Sequence, residues 1–123
     1  MSDGLKKAAC ANLPKLVRDG VPEIILKEGR WVTSRRATNS IELSALLKDK
    51  LKEEMAELLG SWEDNPLPDL DELVDVMEVI ETIASLLPGD FRAVKKQKGD
   101  AKGRFYSGVV LIDYGDEPGA PSK

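Results

Sequence analysis

Histidine is absent from the 123 residues, and that absence removes whole classes of chemistry. Without imidazole there is no His general base and none of the His-ligated zinc sites of metalloproteases. Cysteine occurs once, as Cys10. A single thiol closes no internal disulfide, so the expected setting is a reducing cytoplasm with Cys10 an inert thiol near a loose terminus. Aromatic residues make up 5% of the chain against 33% charged residues, the balance of an exposed, helix-rich protein. A basic excess is missing too. Eighteen Lys and Arg against 22 Asp and Glu leave a net charge of −4, which argues against a binder of nucleic-acid polymers. No apolar segment is long enough to span a membrane. The start Leu5-Lys-Lys-Ala-Ala-Cys10 has the look of a lipoprotein cleavage site but lacks the apolar run of ~7–15 residues that a signal requires.

What is present reads as one domain, small enough to favour oligomers. Residues 1–12 are small, polar and unpatterned, and disorder is expected there. Pro22 suits the first turn of a helix, Glu23 favours its dipole, and Gly29 ends it. An extended connector follows from Trp31 to Arg36. Thr38, Asn39 and Ser40 offer caps for a long helix over about 40–62. Pro66 and Pro68 bar its continuation, and a second helix runs from Asp69 to Leu87, stopped by Pro88-Gly89. Asp90 caps a shorter helix to roughly Lys98, which Gly99 to Gly103 should break. Phe105 to Tyr114 reads as extended, with Val109 to Ile112 a strand or a hydrophobic arm, and 115–123 as a flexible tail.

Within the long helix, acid stands where hydrocarbon belongs. With Leu47 as the reference direction and about 100° per residue, Leu43, Leu51, Leu58 and Trp62 fall within roughly 60°. Glu54 falls about 20° away, inside this stripe, and Glu57 lies at its edge at about 80°. A lone buried carboxylate costs several kcal/mol unless something pairs with it. A cation between two such groups is the simplest remedy. The second helix carries one apolar line of Leu73, Met77, Ile80, Ala84 and Leu87 and another of Val79, Ile83 and Leu86. Glu72 and Asp75 head the second line and project from one side. If the helices pack antiparallel, four carboxylates can close around one site. Oxygen ligands without His or Cys select Mg²⁺, with Mn²⁺ the alternative. The competing reading makes Glu72 the partner of Asp69 in a capping box and Glu53 a solvated residue paired with Lys50. The second helix is apolar over more than half its circumference, so a second copy is expected to complete a four-helix core.

Glu53-Glu-x-x-Glu57, fourteen intervening residues and Glu72-x-x-Asp75 together resemble the signature of the MazG-like all-α nucleoside triphosphate pyrophosphohydrolases. Lys15-Leu-Val-Arg-Asp-Gly-Val-Pro-Glu-Ile-Ile25 is similar to an N-terminal stretch of a phosphoribosyl-ATP pyrophosphohydrolase-like branch. Gly103-Arg-Phe105 with Gly108-Val-Val-Leu111 resembles that branch's ending, with Arg104 in place of its second glycine. The likeness spans about 13–112. It implies an all-α, MazG-like helical bundle over 13–114, completed by oligomerisation to a dimer or tetramer, with a short extended C-terminal arm. It further implies Mg²⁺-dependent cleavage of the α–β phosphate bond of a nucleotide, giving a monophosphate and pyrophosphate. Glu54, Glu57, Glu72 and Asp75 would be the metal ligands. Glu53 would orient or deprotonate the attacking water, and Lys15, Arg18, Lys95, Lys98 and Arg104 would be the cations for phosphate oxygens. The alternatives are phosphoribosyl-ATP hydrolysis in histidine synthesis and a non-catalytic helical interaction module.

Overall fold

The computed structural model describes residues 13–119. The expected disorder of 1–12, Cys10 and the last part of the 115–123 tail lie outside the described residues. Among those described, the chain is all-α: four helices and no strand. They are α1 (Val21–Lys27), α2 (Ser40–Trp62), α3 (Leu70–Leu86) and α4 (Phe91–Lys102). None is long and apolar enough to cross a membrane. The chain forms two compact units, the first ending at Leu87 and the second beginning at Pro88.

Local chemistry sets the ends of the helices in the first unit. Pro22 occupies the first turn of α1, and Gly29, at φ 82°, closes it in a conformation that costs other residues strain. Asn39 caps α2, its side chain accepting from the Glu42 amide at 2.9 Å. Glu42 reaches back to accept from the Thr38 amide at 2.6 Å and pairs with Arg35 at 2.7 Å. The Arg35 hydrogen bond, helped by Thr38, holds the Glu42 carboxyl down at about 2.

The turn between α2 and α3 is fastened by hydrogen bonds. Ser61 Oγ accepts from the Asp69 amide at 3.0 Å, Asn65 Nδ2 donates to the Ser61 carbonyl at 2.9 Å, and Trp62 Nε1 donates to the Pro66 carbonyl at 3.1 Å. The expected capping box at the start of α3 is not made. Asp69 is the N-cap residue but its side chain caps nothing, because the Ser61 hydroxyl anchors this entry instead. Glu72 is thereby released from a capping duty.

α2 and α3 pack on each other as a helical hairpin. Its buried hydrophobic centre is small: Leu47 from α2 with Val76 and Val79 from α3. The α2 stripe faces inward as its spacing implies, with Leu43, Leu51 and Leu58 half-buried along it and Glu54 buried among them. On α3 the inner line is Glu72, Val76, Val79 and Ile83, so Val76 belongs to a face that the sequence pattern left without it. On the other apolar line Leu73 and Met77 are each 43% exposed, while Ile80 and Ala84 are half-buried. Trp31, in the connector before α2, is 84% exposed.

In the second unit Asp90 caps α4 by accepting from the Ala93 amide at 3.1 Å. The helix does not break at Gly99 but continues to Lys102. A glycine inside a helix costs only about 1 kcal/mol relative to alanine, and here the Lys96–Asp100 ion pair at 2.7 Å spans the glycine. The Arg104 guanidinium lies against Gly99, in space a β-carbon would fill. Gly103, at φ 82°, ends the helix. Val109 to Ile112 forms no strand, and its side chains are exposed along with those of Phe105, Tyr106 and Tyr114.

Removing the α2 cap tests this account of the first unit. Asn39→Ala should lower unfolding free energy by about 1 kcal/mol, measured by urea titration, while Thr38→Ala, which keeps its backbone amide on Glu42, should cost less.

Candidate metal centre

The carboxylates that form this site come from the α2–α3 hairpin. Glu54 and Glu57, three residues apart near the end of α2, meet Glu72 in the first turn of α3. One oxygen from each of the three lies within 4.8 Å of the others. Glu54 is only 7% exposed. Its Oε1 and the Oε1 of Glu72 are buried and have no hydrogen-bond partner among the described residues. An ionised oxygen in that position has lost its water and received nothing for it.

The electrostatics carry the same signature. Glu57 is the most open of the three as a residue, but its carboxyl end meets the other two. Desolvation there, followed by the charges of Glu54, Glu72 and Glu53, raises its pKa to about 7. Glu72 is also raised, first by burial and then by the charge of Asp75. A hydrogen bond with Glu57 works the other way. Three carboxylates converge with too few protein cations to satisfy them.

Around this group the remaining expected residues divide. Glu53 points away from the centre, as its helical angle implies, and its two oxygens pair with Lys15 at 3.4 Å and Lys50 at 3.5 Å. The Lys50 pair is the one expected of Glu53 as an ordinary helix residue, and Lys15 adds a second. Asp75 lies near enough to act on Glu72, but its Oδ1 is taken by Arg18 at 2.9 Å, with Glu78 a further 3.8 Å neighbour of that guanidinium. The structure therefore brings three of the four expected ligands together and holds the fourth beside them on an arginine. Lys15 and Arg18 are brought to the hairpin by the segment before α1. Lys95, Lys98 and Arg104 belong to the second unit, the lysines exposed on α4 and Arg104 just beyond its end.

One residue went unassigned in the sequence pattern except as a neighbour of Glu53. Lys50 reaches Glu54 Oε2 at 3.0 Å. Burial opposes its charge, but the hydrogen bond and charge of Glu54, joined by Glu53, outweigh it and raise its pKa. The spacing of four between Lys50 and Glu54 is the signal that could have found it. Lys50, Glu53 and Lys15 also line a cavity of about 500 Å³, with Asp49 and Leu46 of α2 and Leu13, Pro14 and Leu16 of the N-terminal segment.

Compared with protein-family models, curated proteins and solved structures, the chain matches none.

The raised carboxyl of Glu57 has a definite consequence in metal-free protein. Its folded pKa, about 7, lies above the unfolded value near 4.5, so folding favours the protonated form. The contribution is complete below the unfolded value and is lost as pH rises through the folded one. Melting temperature without metal should therefore fall between about pH 5 and 7.5. Carbon-13 titration of the glutamate carboxyls should place Glu57 highest, and Glu54→Gln should lower its midpoint only part of the way, since burial remains.

Proposed function

We propose that this chain is a Mg²⁺-dependent nucleotide pyrophosphohydrolase that cleaves between the α and β phosphates, with Mn²⁺ able to substitute. The observation that carries the reading is the pair of buried, partnerless oxygens on Glu54 and Glu72, set within a three-glutamate group that contains no soft ligand. Such a donor set suits a hard divalent cation. The resemblance of the acidic spacing and of the flanking segments to MazG-like pyrophosphohydrolases supplies the reaction.

Glu54, Glu57 and Glu72 would hold the ion, and Asp75 joins them when Arg18 releases it. The ion supplies Lewis acidity, neutralising phosphate charge and making water a better nucleophile. Lys15 faces the cavity beside the group and is placed to receive phosphate oxygens. Arg18, once free of Asp75, has a planar fork suited to the same oxygens. Glu53 holds two lysines in place. To accept a proton from water it must first lose one of them, so its primary work in this reading is orientation. Lys95, Lys98 and Arg104 remain candidate substrate cations from the second unit.

The working form is a homodimer or homotetramer. Leu70, Leu73, Val74 and Met77 form an exposed stripe on α3, and Met55, Leu59 and Trp62 form another on α2. Faces of that spacing are what a second copy would cover. Light scattering at micromolar concentration should give at least a dimer; a compact monomer would show that these faces serve something else.

The activity is tested by incubating the protein with Mg²⁺ and a panel of canonical, deoxy and damaged nucleotides, phosphoribosyl-ATP included, and separating the products. Monophosphate with pyrophosphate is expected. Orthophosphate as the first product would overturn cleavage between the α and β phosphates, and no turnover on any member would overturn the reading and favour a non-catalytic helical module. Glu54→Leu should abolish turnover together with the melting-temperature increase that Mg²⁺ gives the parent.

A further inference from the structure

We propose that Lys50 is a built-in counter-cation of the acidic group, which a divalent ion must displace and which then turns to phosphate oxygens in the adjoining cavity. The proposal rests on the metal reading above and adds the residue that would couple metal binding to substrate binding.

Its basis is the position of one ammonium group. Lys50 Nζ stands 3.0 Å from Glu54 Oε2 and 3.5 Å from Glu53 Oε1, so it occupies the edge of the cluster on the side of Glu53. Glu54 is 7% exposed, and its other oxygen finds no partner. Lys50 therefore half-satisfies the buried carboxylate and leaves the rest for a ligand. A divalent cation on the same carboxylate meets a fixed positive charge. Two like charges a few ångströms apart at a partly buried site repel, so both stay in place only at a cost to binding.

Lys50 also has somewhere to go. Its side chain lines the cavity that Lys15, Glu53 and Asp49 share, and four flexible methylenes allow the head group to leave Glu54 while its stem stays packed. Lys15 already stands on that wall, held by Glu53 at 3.4 Å. Lys50, released toward the cavity wall where Lys15 stands, makes with it a subsite for an anion with several oxygens, the character of a phosphate chain. Before the metal arrives, both lysines are occupied by carboxylates and the cavity is poor in free positive charge. Metal and phosphate should thus bind better together than either does alone.

Calorimetry on the full chain separates this role from a structural one. Lys50→Met should bind Mn²⁺ tighter than the parent, on the order of tenfold, because the competing charge is gone. The same variant, saturated with Mg²⁺, should bind inorganic phosphate several-fold more weakly. Lys50→Arg keeps the charge and should keep the parent's weaker Mn²⁺ affinity. Lys50→Gln is measured beside Lys50→Met so that a folding failure of the apolar variant does not end the test. In the parent itself, the ¹³Cε resonance of Lys50 should shift and gain mobility when Mg²⁺ is added. Opposite changes in the two affinities, with the Mg²⁺ response of that resonance, support the proposal. Unchanged or weaker Mn²⁺ binding in Lys50→Met and Lys50→Gln would overturn it and make Lys50 a structural partner of Glu54, leaving the metal reading standing. Absence of Mn²⁺ binding by the parent and by every variant would overturn the metal reading and this proposal together.

Discussion

Glu54 sits in the seam where α2 meets α3, and most of what is unusual about the first unit follows from a carboxylate at that point. The position belongs by helical geometry to the apolar stripe of Leu43, Leu47, Leu51 and Leu58, and the packing of the hairpin buries it as it would bury a leucine. Water is excluded, Lys50 answers one oxygen, and the other is left without a partner. Glu57 and Glu72 close on the same point, and desolvation of the Glu57 carboxyl, followed by the charges of Glu54 and Glu72, drives it to about 7. Stability alone would be better served by hydrocarbon here.

The segment before α1 takes part in the same balance. Lys15 and Arg18 cross to Glu53 and Asp75, on different helices of the hairpin. With Lys50 they set three cations around the acidic group, and of its three central carboxylates only Glu54 meets one of them. The buried oxygens of Glu54 and Glu72 that remain without a partner distinguish the cluster from an ordinary solvated acidic face. On such a face each carboxylate would keep its water and its usual affinity for protons.

The hydrophobic chemistry is correspondingly thin. Only Leu47, Val76 and Val79 are buried apolar residues among those described, while Leu70, Leu73, Val74 and Met77 of α3 and the segment from Phe105 to Tyr114 are exposed. A hairpin of two helices buries one face of each helix and no more. With the seam partly given over to charge, the apolar surface buried between the two helices is small.

Much of this was legible in the order of residues, because the information was local. Helix ends depend on neighbours a few positions away, so Pro22, Gly29, Asn39, Pro66, Pro68 and Asp90 announce them directly. The placement of Glu54 inside the stripe needs only the helical repeat. Two local readings failed, each for want of a partner distant in sequence or past the motif. The capping box of Asp69 and Glu72 yielded to the hydroxyl of Ser61, eight residues earlier. The break at Gly99 yielded to an ion pair across it and to the Arg104 side chain lying over it. Which acids meet was beyond any local pattern. Spacing treats Glu72 and Asp75 alike, but only the folded hairpin turns one toward Glu54 and Glu57 while Arg18, 57 positions before Asp75, holds the other. Periodicity fixes the direction of a side chain about its own helix axis; the charge that it meets there depends on a second helix and on a segment from far away in the chain.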